Sequence, residues 1–408
     1  LIAGEDLYAN LGIGHTRWAT HGAPSDVNAH PHTDMSGRIA VVHNGIVENY
    51  LALKEWLIKE HNVVFKSETD TEIIAQLIGV LYDGDIEEAV RKAVEKMQGA
   101  YGIGVICIDE PDKMIAVRKD SPLIVGLGQG CNFIASDIPA LLKYVRQIYL
   151  IENNEMVVLT ANDVKIYNAD HEEVHRDVFN VTWDADAAEK EGYDHFMLKE
   201  IHEQPKGIRD TLVRRMDENG EIVLDGIKLT KEDIEGFNKV YIVACGTAYH
   251  AGLIGKFAIE KLAKISVEVD VASEFRYRDP FIDDKTLFIA ISQSGETLDT
   301  LAALREAKAK GARVLSVVNV VGSSVARESD DVFYTWAGPE IAVASTKAYT
   351  TQLVCMYMLG LHMGRKKGII SDEVYKNYID ELLAVPDKLT SLLKQEKKIE
   401  ALAKKLYK

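Results

Sequence analysis

Four polar side chains, Ser292, Gln293, Ser294 and Thr297, stand between an apolar run and a helical repeat in the stretch LFIAISQSGETLDTLAALREAKAKG, Leu287 to Gly311. Three hydroxyls beside the free N–H groups of a helix start make a place for a phosphate. The same residues would also serve a capped strand–helix turn that binds nothing, a common feature of open α/β sheets. Two further stretches repeat the design. Cys245-Gly246-Thr247 follows the apolar run of KVYIVACGTAYHAGLIG, and Ala344-Ser345-Thr346-Lys347 opens an apolar helix reaching to about Met363. Hydroxyls at three strand ends or helix starts point to one crevice at the carboxyl ends of a parallel sheet.

A second group of polar residues lies near the start of the chain. In GHTRWATHG, Gly14 to Gly22, Arg17 can clamp a carboxylate bidentately or pair with an acidic neighbour as a structural residue. Strand alternation would put Arg17 and Trp18 on opposite faces. Asn28-Ala29-His30-Pro31-His32 reads as a turn. Ile39-Ala40-Val41-Val42-His43-Asn44-Gly45 reads as a buried strand ending at Asn-Gly. Asn44 and Gly45 offer an amide and a backbone N–H for an oxyanion hole, or simply a hairpin turn. Ser67 to Glu72 resembles a capping box, with Thr69 and Glu72 at the required offset. Asp70, fixed at that helix start, could face an ammonium. Of the 12 histidines, His15, His21, His30, His32, His43 and His61 crowd this region. Their spacings match neither a helical His pair nor a finger, so no metal is assigned.

The elements that must carry these residues divide the chain. Residues 1–182 show many short strands with Gly, Ser and Pro turns and a few helices. This predicts stacked antiparallel sheets with helices on at least one face. Residues 183–237 read as a linker with connecting helices, the first ending or kinking near Pro205. The basic residues Arg209, Arg214 and Arg215 suit a solvated helix face better than a phosphate. Residues 238–408 alternate strands (Val240–Ala244, Ser266–Val271, Thr286–Ile291, Val314–Val318, Val332–Tyr334) with helices, which predicts a doubly wound parallel sheet. The chain is thus of the α/β class. A GxGxxG fingerprint and a Gly-Lys-Ser/Thr phosphate loop are both missing from the sequence, which disfavours a dinucleotide or ATP.

Composition narrows the function further. A net charge of −16 over 408 residues, without a basic stripe, argues against nucleic-acid binding. The four cysteines are scattered, which suggests neither a disulfide framework nor a zinc site and fits a reducing cytoplasm. The most apolar stretch, Gln352 to Met363, is too short to span a membrane.

In order along the chain, HTRWATHG, NAHPH, VVHNG and SETDTE resemble the glutaminase domain of class II glutamine amidotransferases, which are N-terminal-nucleophile hydrolases. The resemblance implies an αββα sandwich. It implies that Arg17 holds the carboxylate of glutamine and Asp70 its α-amino group, with Thr20, His21 and His30 shaping the pocket. Asn44 and Gly45 form the oxyanion hole, and Trp18 gates an ammonia channel. The family's nucleophile is a cysteine at the mature N-terminus, several dozen residues before the arginine, whereas Leu1 is only 16 residues before Arg17.

Cys245-Gly246-Thr247, Ser273 to Arg278, Ser292 to Thr297 and Ala342 to Lys347 are similar to a sugar-isomerase (SIS) domain, the first of a tandem pair in amidotransferases that aminate fructose 6-phosphate. By that resemblance Ser292, Gln293, Ser294 and Thr297 hold the phosphate. Cys245, Gly246 and Thr247 line the sugar end, and Val343 and Ser345 contact the sugar. Ala248 and His250 stand where better-known members have Ser and Asn. The KEI-EQP pattern from Lys199 to Pro205 is similar to the family's interdomain connection. The implied substrates are glutamine and fructose 6-phosphate, the implied product is glucosamine 6-phosphate, and no cofactor is implied. The full-length protein is expected to be a cytoplasmic homodimer. This chain is expected to be truncated at both ends and inactive alone. The rivals are an SIS isomerase or deglycase, and a sugar-phosphate sensor without chemistry.

Overall fold

A computed structural model describes residues 9–17, 21–181, 190–218 and 220–407. The chain divides into two compact units, 1–182 and 183–408.

The first unit begins with a 3-10 turn, Asp26–Asn28. It then runs β1 (His32–Thr33), β2 (Ile39–Val47), α1 (Tyr50–His61), α2 (Asp70–Leu81), α3 (Ile86–Lys96), β3 (Gly99–Cys107), β4 (Lys113–Lys119), β5 (Ile124–Leu127), β6 (Asn132–Ala135), β7 (Gln147–Leu150), β8 (Glu155–Thr160), β9 (Val164–Tyr167), β10 (Glu173–Val174) and β11 (Phe179–Asn180). Seven strands form one sheet in the order β1-β2-β3-β4-β8-β9-β10, and four form another, β11-β7-β5-β6. All their pairings are antiparallel.

Alternation along the central strands builds both layers. Ile115 and Val117 of β4, with Val158 of β8, pack into the core under α1–α3. Met114, Ala116, Val157 and Leu159 face the other way, with Leu123 and Val125 of the smaller sheet's region. On that smaller sheet, Leu141 and Val145 from a run of turns rest on Gly126.

The second unit runs α4 (Phe196–Val213), α5 (Lys231–Gly236), β12 (Lys239–Ala244), α6 (Gly246–Ala263), β13 (Ser266–Val271), α7 (Ala272–Phe275), β14 (Thr286–Ser292), α8 (Leu298–Ala309), β15 (Arg313–Val318), α9 (Ser324–Glu328), β16 (Asp331–Tyr334), α10 (Lys347–Lys366), α11 (Asp372–Leu393) and α12 (Glu396–Leu406). Its five strands are parallel, ordered β13-β12-β14-β15-β16. Both faces are covered, so the strands read as continuous apolar runs. Val240, Ile242, Leu287 and Ile289 join one core with α6, α10 and α11. Tyr241, Val243, Phe288 and Ala290 join another with α7 and α8.

Pro205 does not end its helix. It sits inside α4. A proline there leaves the carbonyl of Ile201 without its N–H donor, and the Gln204 side-chain amide supplies one at 2.9 Å. The segment read as a linker with connecting helices is thereby built into the second unit, Ile208 and Leu212 lying in its core. Arg209 and Arg214 are exposed, as a solvated helix face requires, whereas Arg215 is buried. Arg209 pairs with Asp387 at 2.7 Å, Arg214 lies over Trp336, and Arg215 lies over Phe333 and donates to the Tyr334 carbonyl. Among the described residues, no helix is long and apolar enough to cross a membrane.

Candidate functional site

The first unit gathers its polar residues where β2 outruns its neighbour. β1 pairs with β2 only at Ala40 and Val41, so the later N–H groups on that edge need other partners. His43 N–H donates to His30 Nδ1 at 3.5 Å, and Val47 N–H donates to Asp70 Oδ2 at 2.9 Å. By the parity of an antiparallel strand, the N–H of Gly45 faces the same edge, between them. Asn44-Gly45 is therefore no hairpin turn. β2 continues through it, with Asn44 opposite Gly102 and Gly45 opposite Tyr101. Gly45 has φ +131°, and a Cβ there would lie 2.1 Å from the Ala100 carbonyl oxygen, so only glycine fits.

Asp70 opens α2 and is buried. His21 Nδ1 and His43 Nδ1 each lie 3.9 Å from its carboxylate. His43 also contacts Thr71 Oγ1 at 3.0 Å. His15 stacks on His30, and His30 meets His32 edge-on. Burial, more than mutual repulsion, pushes His30 down to about 3 and His43 to about 4, and also lowers His15 and His32. The imidazoles of His15, His30, His32 and His43 are therefore neutral at physiological pH. They offer hydrogen bonds without adding charge between a carboxylate, Asp70, and a guanidinium, Arg17. Among the described residues, no group of three or more His, Cys, Asp or Glu side chains could hold a metal.

Arg17 is not in a strand. It has φ +50°, and its guanidinium donates to the carbonyls of His21, Gly22 (3.0 Å) and Ala23 (3.4 Å). It braces the turn carrying His21. Trp18 and Thr20 lie outside the described residues. Thr69 caps α2 as expected, accepting from Glu72 N–H at 3.2 Å. The return arm of the capping box is diverted: Glu72 accepts from Lys66 and Ser67 instead, and Thr69 N–H turns to Ser67 Oγ.

In the second unit the strand order puts the first and third strands, β12 and β14, side by side, with their crossovers leaving in opposite directions. Ligands bind at such a switch point, beyond the carboxyl ends of the strands. A cavity of about 170 Å³ opens there, lined by Cys245, Thr247, Ser292, Gln293, Ser294, Thr297, Val343 and Ser345, and by Ala248, Glu340, Ala342 and Gln352. Gly246 starts α6 beside it. The turn after β14 is internally braced. Ser292 Oγ takes Gly295 N–H at 3.0 Å and meets Thr297 Oγ1 at 3.0 Å, and Ser294 Oγ takes Glu296 N–H at 3.1 Å. Burial raises the Cys245 thiol above its ordinary value, so it remains neutral and does not repel an anion. Ala248 presents only a methyl group, and His250, exposed, turns back to the Gly246 carbonyl at 2.9 Å.

Two polar lining residues, Glu340 and Gln352, are not among the residues the sequence points to. Glu340 takes Ser345 Oγ (2.9 Å), Thr346 N–H (2.8 Å) and Ala348 N–H (3.1 Å), and so shapes the entry to α10. An acid just ahead of a helix start was the available signal. Gln352 is buried on the apolar face of α10, and its Oε1 has no hydrogen-bond partner among the described residues. A lone amide within an apolar stripe marked it.

Residues 15–143 match the model of the glutamine amidotransferase domain, and residues 234–362 that of the SIS domain. A glutamine–fructose-6-phosphate aminotransferase (isomerizing) of Clostridium tetani is 59% identical over 403 residues, covering 99% of this chain and 66% of that protein. The protein of the same name from Caldanaerobacter subterraneus subsp. tengcongensis is 55% identical over 407 residues, covering 100% of this chain and 67% of its own length. The chain thus spans about two-thirds of the curated relatives it matches. The solved C-terminal domain of glucosamine-fructose-6-phosphate aminotransferase from Francisella tularensis is 44% identical with a TM-score of 0.50, over 53% of this chain and 60% of that one. Identity at this level along nearly all 408 residues places the chain in the glutamine–fructose-6-phosphate aminotransferase (isomerizing) family.

Proposed function

We propose that the protein containing this chain transfers ammonia from glutamine to fructose 6-phosphate and isomerises the product to glucosamine 6-phosphate. The observation that carries this is the hydroxyl-lined cavity at the β12/β14 switch point, in a chain whose other unit matches a glutamine amidotransferase domain.

In the first unit Arg17 holds the glutamine carboxylate and Asp70 the ammonium, and Thr20, His21 and His30 close the pocket. The neutral imidazole of His30 suits a zwitterion, since it leaves the two charges to opposite partners. As the acyl carbon becomes tetrahedral, the Gly45 N–H and the Asn44 amide take the developing negative charge. The nucleophile is assigned to none of the four cysteines of this chain. Cys107, the first of them, is buried in β3. Trp18 separates the pocket from the path of the ammonia.

In the second unit Ser292, Gln293, Ser294 and Thr297 bind the phosphate at the start of α8. Cys245, Gly246 and Thr247 line the sugar end, with Val343 and Ser345 across the cavity. The reading needs no metal or organic cofactor. The complete protein works as a cytoplasmic homodimer on two small molecules, without nucleic acid or membrane.

The test is the complete protein supplied with glutamine and fructose 6-phosphate. Glucosamine 6-phosphate should form, and Arg17→Ala should abolish its formation from glutamine. Sugar isomer made without consumption of glutamine would instead favour an SIS isomerase.

A further inference from the structure

The KEI-EQP pattern remains unexplained by these roles. Its Glu200 lies on α4 and is 2% exposed. Its Oε1 accepts two backbone N–H groups, from Ile341 at 2.6 Å and Ala342 at 3.1 Å. Both belong to the loop that presents Val343 and Ser345. The neighbouring side chains grip the far end of that loop. Glu203 takes Lys347 Nζ at 2.5 Å, at the first residue of α10, and buried Lys199 lies 3.6 Å from Glu203 and 3.0 Å from Glu191. Val343 itself is 84% exposed, so packing does little to fix the loop between these anchors. Polar contacts must do it. A buried carboxylate is retained at a desolvation cost, and here both of its acceptor contacts go to one substrate loop. Burial also raises the carboxyl of Glu200 above its ordinary value.

We propose that Glu200 is a positioning residue of the sugar-phosphate site: it holds Ile341 and Ala342 so that Val343 and Ser345 meet the sugar, while the phosphate turn after β14 stands independently. This rests on the sugar-phosphate reading above. Losing the anchor moves the cost of ordering the loop into the binding step. Fructose 6-phosphate should therefore bind more weakly, and inorganic phosphate should not.

The experiment titrates both ligands calorimetrically into the wild-type protein, Glu200→Met and Glu200→Gln. Met keeps the length of the side chain without its oxygens. Gln keeps one acceptor for the two N–H groups. Glu200→Met should weaken fructose 6-phosphate roughly tenfold and leave inorganic phosphate within about twofold, and Glu200→Gln should restore most of the loss. Equal binding by Glu200→Met and the wild type overturns the inference alone, as does an equal loss of both ligands or a failure of Gln to rescue. A wild-type protein that binds neither ligand overturns the sugar-phosphate reading and this inference with it. Should Glu200→Met fail to fold, hydrogen exchange in the wild type decides: the Ile341 and Ala342 amides should be protected, and exchange at free-loop rates refutes the anchor.

Discussion

Gly295 stands in the middle of the turn after β14 with φ +65°, and a Cβ built on it would lie 2.0 Å from Ser323 Oγ and 2.5 Å from Ser323 Cβ. Gly295→Ala therefore carries two separable penalties. The left-handed backbone costs an alanine about 1–2 kcal/mol, and overpacking against Ser323 adds about 1–3 kcal/mol. Ser323 is 2% exposed and its Oγ has no partner among the described residues, so its side chain can be removed without breaking a hydrogen bond. In a Ser323→Gly background the clash disappears and only the backbone term remains. Gly295→Ala should cost about 2–5 kcal/mol in the native background and about 1–2 kcal/mol beside Ser323→Gly. Urea unfolding followed by tryptophan fluorescence measures the four proteins of the cycle. Fructose 6-phosphate titration should show the same partial rescue, because the displaced segment carries Ser294 and Thr297. Equal costs in both backgrounds would refute the steric reasoning, and a cost below about 0.5 kcal/mol would refute the backbone reasoning as well.

Three further expectations follow from single contacts. Gln352→Met should weaken fructose 6-phosphate by about tenfold while sparing inorganic phosphate, because the buried amide lies in the cavity wall with an acceptor to offer; calorimetry reads both. Gln204→Met should cost about 1 kcal/mol in thermal unfolding, since it strips the Ile201 carbonyl of the donor that stands in for Pro205. Burial pushes His43 from the ordinary 6.5 down to about 4, so below pH 6.5 the unfolded chain takes up a proton that the folded chain refuses. The stabilisation is complete above pH 6.5 and is lost as pH falls toward 4. It amounts to something on the order of 3 kcal/mol, and pH-dependent unfolding of His43→Gln should show a flatter profile over that window.

What the sequence made legible was set by how local the cause was. The strands of the parallel sheet are buried on both faces, so Tyr241–Ala244 and Leu287–Ile291 read as unbroken apolar runs. The hydroxyls after β12 and β14 could be placed from those runs alone, because a turn must follow a strand. Asn44-Gly45 misled for the opposite reason. The need for glycine there comes from Ala100 on the neighbouring strand, and pairing partners are invisible in one dimension. Pro205 was read by its own chemistry, whereas the helix survives through its neighbour's amide. The burial of Arg215 is not legible locally, because its aromatic partner, Phe333, lies far along the chain. Strand alternation predicts opposite faces for Arg17 and Trp18, but the backbone at Arg17 is left-handed. Glu340 and Gln352 carried faint local marks, and Glu200 acquires its place only when α4 meets the loop before α10.

The central claim is that the glutamine site and the sugar-phosphate site serve one relay. Its most direct test supplies the complete protein with amide-¹⁵N glutamine, fructose 6-phosphate and an excess of unlabelled ammonium. The account predicts glucosamine 6-phosphate whose amino nitrogen is ¹⁵N, with that label lost in Arg17→Ala. Product carrying the unlabelled nitrogen of the medium, or formed equally well without glutamine, would contradict it.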